Sequence, residues 1–280
     1  MSARDAAPRP AATRSGLRAD CARCQALCCV APALTASADF AIDKAAGVPC
    51  PHLDADCSCT IHARLRERGF PGCATYDCFG AGQRICAGSF RGRSWRAKPD
   101  VAAQMFAAFA ELRRLHELLW YLEDAIGCEE AASLRARLVA MRALTGQLAG
   151  AGGDELAAGR NEQHHRDADR LLRAASELVR SAAPDGPALA GCDLIEADLR
   201  DADLRGADLH GAYLLGADLR KVDLGHADVM GADLRAADLR GARLERALYV
   251  TQPQINAAHG DAATRLPPWL TRPTHWTGAP

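Results

Sequence analysis

The chain has 280 residues, enough for one large domain or two to three small ones, and its formal net charge is −1. This nearly neutral balance gives no bulk electrostatic reason to expect direct nucleic-acid or membrane binding. Residues 1–19 are rich in Pro, Ala and Arg and lack the apolar core of a secretory signal. Since no later run approaches the roughly eighteen apolar residues of a membrane span, we expect a cytoplasmic protein with a disordered tail over 1–19.

A cysteine-rich segment follows over 20–97. The chain has 12 cysteines, and all but Cys128 and Cys192 lie between Cys21 and Cys86. Because thiols stay reduced in the cytoplasm, dense cysteine there favours metal binding over disulfides. Thiolate sulfur selects zinc, copper(I) or iron–sulfur clusters, and four thiolates can close a tetrahedral zinc site.

The spacing of these cysteines resembles that of the zinc- or iron-chelating cysteine-cluster proteins of bacteria. In that family, C-x2-C-x2-C-C is followed by C-x-x-L, by C-x-I-[YH] and by a later Cys. The first block here, CARCQALCC, has one extra residue between its second and third cysteines, and CPHL, CTIH and GC carry the later blocks. The metal ligands that we predict are Cys21, Cys24, Cys28, Cys29, Cys50, Cys59, Cys73 and Cys78.

Zinc in a structural role is the cofactor that we expect, with iron or an iron–sulfur cluster as the alternative. The C-x2-C-x2-C run of bacterial ferredoxins is absent from the sequence, which argues against a simple ferredoxin. Redox-switching thiols and unliganded buried cysteines are further alternatives. His52 and His62 are candidate ligands because each stands beside cysteines, and Cys73 or Cys78 is a candidate nucleophile.

The segment 98–183 is predicted to be helical. Apolar residues recur at three- and four-residue steps in VAAQMFAAFAELRRLHELLWYLEDAIG, which begins at Val101. Further helices are predicted over 129–148 and 163–182, with a break at GAGGD and a separator at APDGP. His164 and His165 are expected to be solvated, and Cys128 is expected to be a buried or helix-end thiol.

An apolar residue recurs every five positions from Leu194 to Leu244, and a small residue stands two positions before nearly every one. Five residues turn a helix by about 500°, so these leucines cannot form one helical stripe. In a flat strand, an odd spacing would alternate the leucines between two faces. A chain that turns a corner after each five-residue side would instead point both residues inward.

These A-D-L-x-G units resemble pentapeptide repeats. The resemblance implies a right-handed quadrilateral β-helix over 187–250, with four units per coil and about three coils. We therefore expect a multidomain chain that joins the cysteine-rich domain and the helical region to a β-solenoid. The whole order, ending in ATRLPPWLTRPTHW, resembles a group of actinobacterial pentapeptide repeat proteins.

Residues 251–280 are expected to form a cap and tail. Thr251 and Gln254 have capping-box spacing and Gly260 is a helix stop, so a short helix is predicted there. A solenoid end exposes unpaired backbone and needs such a cap. An incompletely capped end would allow a homodimer, and the oligomeric state stays open.

The sequence contains no P-loop, no G-x-S-x-G and no H-E-x-x-H, so we predict no catalytic residue and do not favour an enzyme. We expect a scaffold that binds an unknown protein partner through its repeat surface. One alternative is an iron- or thiol-based redox sensor or oxidoreductase. Another is a DNA mimic that binds gyrase, although twelve acidic residues against eight basic ones leave a net charge of only −4 over 189–248.

Overall fold

A computed structural model of the chain describes residues 14–183 and 186–276. Residues 1–13 of the predicted tail lie outside the described residues, whereas Ser15–Leu17 forms a 3-10 turn in which Leu17 is buried. The chain divides into two compact units. One contains Ser15–Trp120 and Ala140–Arg170, and the other contains Arg14, Tyr121–Val139 and the described part of Leu171–Pro280.

The cysteine-rich segment consists of short helical turns joined by loops. Isolated antiparallel bridges join Leu34 to Lys44 and Leu53 to Cys59. The helical turns are α1 (Leu27–Val30), α2 (Pro71–Thr75), α3 (Ala81–Arg84), a π-helical turn at Ile85–Ser89, and 3-10 turns at Cys21–Arg23 and His62–Arg64.

Longer helices follow, and they confirm the predicted helical character of 98–183. They are α4 (Pro99–Ile126), α5 (Arg135–Ala149), α6 (Gly153–Ala157) and α7 (Glu162–Arg180), with a 3-10 turn at Ala132–Leu134. Pro99 begins α4 because its fixed φ suits the first helical turn. The apolar stripe of α4 is buried at Met105, Leu112 and Leu115. The predicted break at 150–154 is only partly right, since α6 already begins at Gly153.

The repeat folds into a stack of turns, and we call residues 187–250 the repeat stack. Isolated parallel bridges join residues twenty apart, such as Asp193 to Tyr213 and Asp218 to Asp238. The large and small inward residues of the later units are fully buried, as at Ala207, Leu209 and Leu214. The predicted inward orientation of the five-residue pattern is therefore confirmed.

The predicted right-handed quadrilateral β-helix, and with it the β-solenoid fold class, is wrong. The residues that the structure describes contain no β-strand and no sheet, and their regular secondary structure is mostly helical. The physical reason lies in the unit length. Within each five-residue unit the residues around the pairing position close a turn, so a coil meets its neighbour through single bridges.

The aspartate that most units carry at the pairing position has a structural role in this turn. Its side chain accepts a hydrogen bond from the backbone N–H two residues later, as in Gly225 to Asp223 at 2.9 Å and Met230 to Asp228 at 2.8 Å. Such Asx turns favour Asp where a chain must reverse locally. The next position of most units is left-handed, with φ +62° at Gly211 and +56° at Ala236.

Helix α7 packs against one column of the repeat stack with one helical turn per coil. Arg180 lies 3.4 Å from Asp208, and the Tyr249 hydroxyl donates to the Leu172 carbonyl at 2.9 Å. Between these contacts, Ser176 hydrogen-bonds to Asp228 one coil further along. Residues 172, 176 and 180 are four apart, so they share one face of the helix.

The predicted short helix after the repeat is confirmed as α8, Gln252–Ala257, with the expected capping box. The Thr251 N–H donates to Gln254 Oε1 at 2.9 Å. Gln254 Nε2 in turn donates to the carbonyls of Val229 and Ala232, at 2.7 and 3.1 Å. The capping side chain therefore also ties α8 to the repeat stack, and the buried Trp276 packs against the same core.

Candidate functional site

Two regions carry candidate functional groups: the thiols of the cysteine-rich segment and the outward surface of the repeat stack. We call Cys21, Cys24, Cys78 and Cys86 the first thiol group. Burial, followed by the nearby thiols of Cys78 and Cys24, raises the pKa of Cys21. Cys24 and Cys86 hydrogen-bond to each other, which raises the pKa of Cys24 and lowers that of Cys86. The four sulfurs therefore occupy one neighbourhood.

Gly82 lies in contact with two cysteines of the first thiol group. A Cβ at this position would lie 2.6 Å from Cys24 Sγ and 3.8 Å from Cys78 Sγ. Cys86 is held by the π-helical turn and by a hydrogen bond from the Gln25 N–H to its Sγ at 3.2 Å. Single π-helical turns often occur at functional sites. Because Gly82 has no Cβ, the sulfurs of Cys24 and Cys78 can lie against its backbone.

Cys29, Cys50, Cys59 and Cys73 form the second thiol group. The Cys50 N–H donates to the Cys29 carbonyl at 3.0 Å. Leu53 links the next two, because its N–H donates to the Cys50 carbonyl at 3.0 Å and it bridges to Cys59. Cys59 and Cys73 pack against the same small hydrophobic cluster.

Lys44 is a buried cation beside the second thiol group. Its ammonium lies 2.6 to 3.1 Å from four backbone carbonyl oxygens, those of Val30, Pro32, Ala45 and Val48, and shares its three N–H groups among them. A hydrogen bond with Cys28, opposed by burial and assisted by the Lys44 charge, lowers the pKa of Cys29 to about 7. A fixed positive charge favours the thiolate form of Cys29, whereas burial raises the pKa of Cys59 and raises that of Cys73 to about 11.

The predicted ligands therefore fall into two groups, although the thiol of Cys29 also lies near that of Cys21. Cys28 is not assigned to either group, because its Sγ lies 3.9 Å from that of Cys29 while the thiols of Cys24 and Cys21 are also near it. Cys86 joins the first group although sequence reasoning did not select it, and its only sequence signal was its place a few residues after Cys78. Among the described residues, no three His, Cys, Asp or Glu side chains stand in the arrangement of a formed metal site.

The remaining candidates of this segment have other contacts. The ring of His52 packs edge-on against Phe70 with centroids 5.2 Å apart, and His62 is exposed. Cys57 accepts a hydrogen bond from Arg96 Nη1 at 2.8 Å. The structure thus brings neither histidine into a thiol group by a direct hydrogen bond.

A buried polar cluster on the helices was missed by the sequence analysis. Glu111, with only 5% of its surface exposed, accepts hydrogen bonds from Asn161 Nδ2 at 2.8 Å and His165 Nε2 at 3.2 Å. His164 Nε2 lies 2.9 Å from the Thr145 hydroxyl. The prediction that both histidines are solvated is therefore wrong, since each is engaged on the inner side of α7. Cys128 is buried, as predicted.

Most outward charges of the repeat stack are neutralised in pairs. Five aspartates pair with the arginine two residues later: Asp198, Asp203, Asp218, Asp233 and Asp238. The Arg205 guanidinium, for example, contacts both carboxylate oxygens of Asp203 at 2.8 and 2.6 Å and holds the pKa of that carboxyl at about 2. Such pairs leave few free charges on the surface that carries them.

One outward surface differs, and we call it the Tyr213 patch: Asp193, Ile195, Glu196, Tyr213 and Leu215. Tyr213 is 54% exposed and Ile195 is 47% exposed. Adjacent coils bring the residues together, since Asp193 bridges to Tyr213 and the Glu196 N–H donates to the Leu215 carbonyl at 2.8 Å. Within the described chain, neither Asp193 nor Glu196 forms an ion pair. The patch therefore combines exposed apolar side chains with free negative charge.

The comparisons with known proteins agree with this repeat architecture. A family model for pentapeptide repeats matches in 8 copies over residues 188–220 and 212–248, so this part of the chain consists of pentapeptide repeats. The chain belongs to the same family as YybG of Bacillus subtilis (strain 168), a protein described as uncharacterized. The two are 49% identical over 264 residues, which cover 93% of this chain and 95% of YybG.

A solved structure also matches part of the chain. It is a pentapeptide repeat protein from the thylakoid lumen of Arabidopsis thaliana, 32% identical, with a TM-score of 0.21. The match covers 29% of this chain and 57% of that one. No helix in the described part of the chain is long and apolar enough to cross a membrane.

Proposed function

We propose that the chain is a non-enzymatic interaction protein whose repeat stack binds a protein partner through the Tyr213 patch. The cysteine-rich segment serves in this proposal as a module stabilised by bound zinc. The observation that carries the interaction role is the exposure of Tyr213 on a surface whose other charges are mostly paired.

The chemistry of the Tyr213 patch suits protein binding. Tyrosine supplies a large, stiff apolar surface with a polar tip, and aromatic anchors dominate the binding energy of protein interfaces. Ile195 and Leu215 extend the apolar area around it. The free carboxylates of Asp193 and Glu196 at its edge favour a partner that places Lys or Arg beside an apolar side chain.

The pairing of surface charges argues against the DNA-mimic alternative. A mimic of duplex DNA needs unpaired negative charge along its surface. Here the aspartates that line the stack, such as Asp203 and Asp238, hold their arginines at 2.5 to 2.9 Å. The stack consequently presents little unpaired negative charge.

Zinc binding by the module is supported by the kind and number of its donors. Thiolates are ligands of zinc, and the two thiol groups provide four each, the number that a closed structural site needs. A bound ion would join chain segments that the loops hold only weakly, and its binding energy would add to folding. Lys44 would offset part of the negative charge of the second group.

A redox role for the thiols is the second candidate, favoured by the hydrogen-bonded pair Cys24 and Cys86. A disulfide-bearing oxidant could take two electrons and two protons from these thiols to form one disulfide, and a dithiol reductant could return them. Purification without oxygen, elemental analysis and an absorption spectrum separate the candidates. About one or two zinc ions per chain and no visible band support the structural role, whereas stoichiometric iron with a visible band, or the reversible loss of two free thiols on oxidation, supports a redox role.

The interaction role is tested on a partner found by photo-crosslinking from position 213 in cells and then purified. The double variant Ile195→Ser with Tyr213→Ser should weaken that partner's affinity by about tenfold or more, because it removes both exposed apolar anchors. Arg240→Ser is the matched control, since it alters an exposed, charge-paired position and should change affinity by less than about twofold. Binding that survives the double variant, or deletion of 187–250, would refute the proposal.

A further inference from the structure

The cysteines divide between two separate hydrophobic cores. Cys24, Cys78 and Cys86 pack with the large cluster that contains Leu27, Ile85 and Phe90. Cys59 and Cys73 pack instead with a small cluster of Leu34, Ile61 and Phe70. Because core side chains hold their neighbours in place, thiols on different cores are not free to converge on one ion.

Backbone contacts within each thiol group reinforce this division. In the second group, a chain of backbone bonds runs from Cys29 through Cys50 and Leu53 to Cys59. In the first group, the Cys24 N–H donates to the Cys21 carbonyl at 3.2 Å, which closes the C-x2-C turn. A C-x2-C turn of this kind aims two sulfurs at one point.

Cys86 completes the first group. It is buried, it is hydrogen-bonded to Cys24, and it lies in the π-helical turn that follows α3. Gly82 supplies the room, because any Cβ there would collide with Cys24 Sγ at 2.6 Å. An ion bound next to Gly82 would be held by the two cysteines of the C-x2-C turn together with Cys78 and Cys86.

Cys28 is the surplus thiol. It is adjacent to Cys29 on α1, its Sγ lies 3.9 Å from that of Cys29, and the thiols of Cys24 and Cys21 are also near, so it stands between the two groups. Cys28 belongs to neither hydrophobic cluster. Its extra thiol is also unnecessary, since each group already holds four.

We infer that the module binds two separate thiophilic divalent ions, one held by Cys21, Cys24, Cys78 and Cys86, and the other by Cys29, Cys50, Cys59 and Cys73. This inference rests on the proposed zinc-stabilised module and goes further by naming Cys86 as a ligand in place of Cys28. Binding would bring the four sulfurs of each group to about 2.3 Å from their ion.

The test uses the full chain loaded with zinc, and then with cobalt(II) or cadmium as a spectroscopic probe. The wild-type chain should hold about two ions, each with four sulfur ligands by X-ray absorption and each with its own cadmium resonance. Cys86→Ser should lose one ion, or convert one site to three-sulfur coordination. Cys28→Ser should keep both ions, and Cys57→Ser, outside both groups, is the control.

Several results would overturn the inference. A single ion, or a close pair of ions bridged by sulfur, would refute the two separate sites. The proposal of a zinc-stabilised module would survive that result. Loss of an ion in Cys28→Ser but not in Cys86→Ser would refute the ligand assignment alone. No stoichiometric metal in the wild-type chain would refute both the inference and the zinc-stabilised module. If a variant fails to fold by circular dichroism, the wild-type spectra still decide the number and separation of the ions.

Discussion

Certain positions of the repeat stack require a left-handed backbone conformation, which the amino-acid composition does not reveal. The position after each outward side chain is left-handed in most units, and glycine fills it in about half of them. Ala236, Lys221 and His226 adopt the same conformation with φ between +56° and +64°. A side chain at such a position is strained, because its Cβ crowds the following carbonyl.

The first prediction follows from this strain. Ala236→Gly should raise the free energy of unfolding by about 0.5–1 kcal/mol, because relief of left-handed strain exceeds the entropic cost of glycine. Gly231→Ala should lower it by about 1 kcal/mol, since a Cβ there meets nothing closer than 4.0 Å and only strain is added. Urea denaturation measures both, and equal stability of the two variants and the wild type would contradict the idea.

The sequence predicted which residues of the repeat face inward, because burial must follow the five-residue period. It did not predict the Tyr213 patch, since an outward position can be charged, apolar or aromatic without disturbing the fold. The sequence did not predict the part played by Cys86 for a related reason. Its place in the first thiol group depends on a π-helical turn, which leaves no spacing signature among the cysteines.

Pairs of elements are held by polar contacts as well as by packing. Glu111 on α4 is clamped by Asn161 and His165 at the start of α7. Burial alone would raise the pKa of Glu111, but the hydrogen bonds from His165 and Asn161 outweigh it and lower the pKa. The ionised carboxylate is therefore the form that stabilises this helix pair.

The second prediction concerns the pH dependence of that clamp. Glu111→Gln should cost about 1–3 kcal/mol at pH 7, the usual value of hydrogen bonds to a buried charge. A group whose folded pKa is lowered stabilises above its unfolded pKa, near 4.3, and the stabilisation is lost as the pH falls through the folded value. The gap between wild type and variant should therefore close below about pH 4.

Unfolding curves at several pH values test this expectation. Glu162→Gln is the control, because Glu162 also pairs with an arginine, Arg114 at 2.7 Å, but is exposed and should matter little. A gap that stays constant from pH 7 to pH 3 would mean that Glu111 acts through packing and not through charge.

Helix positions were predictable because α4 and α7 show clear three- and four-residue apolar steps. The prediction of β-strands failed at the same scale. An inward-facing period fixes which side chains are buried, but it does not fix how many consecutive residues pair with the next coil. In this chain the Asx turns consume the residues that a strand would need.

The whole molecule joins two units of different physical character. The repeat stack has a continuous apolar core of its own, whereas the cysteine-rich segment shares a large cluster with α4 and adds a small cluster around Phe70. Small units with little core often rely on metal ions for stability. The two units should therefore respond differently to a chelator.

The third prediction is that chelation opens the cysteine-rich segment first. Amide protons of Cys50 and Leu53, whose bonds belong to the second thiol group, should lose protection from hydrogen exchange when the metal is removed. The amides of Leu209, Leu214 and Leu219, bonded to the next coil at 2.9 to 3.0 Å, should stay protected. Simultaneous loss in both units, or no loss in either, would contradict the prediction.

The contact between α7 and the repeat stack has a consequence for how long such a stack can grow. Four helical residues rise about 6 Å, whereas adjacent coils are spaced by about 4.8 Å, so helix and stack behave like the two scales of a vernier. Residues 172, 176 and 180 meet three successive levels before the scales drift apart. A helix docked in this manner can match only a few levels of the stack. The height of the stack and the length of the helix that docks on it therefore depend on each other.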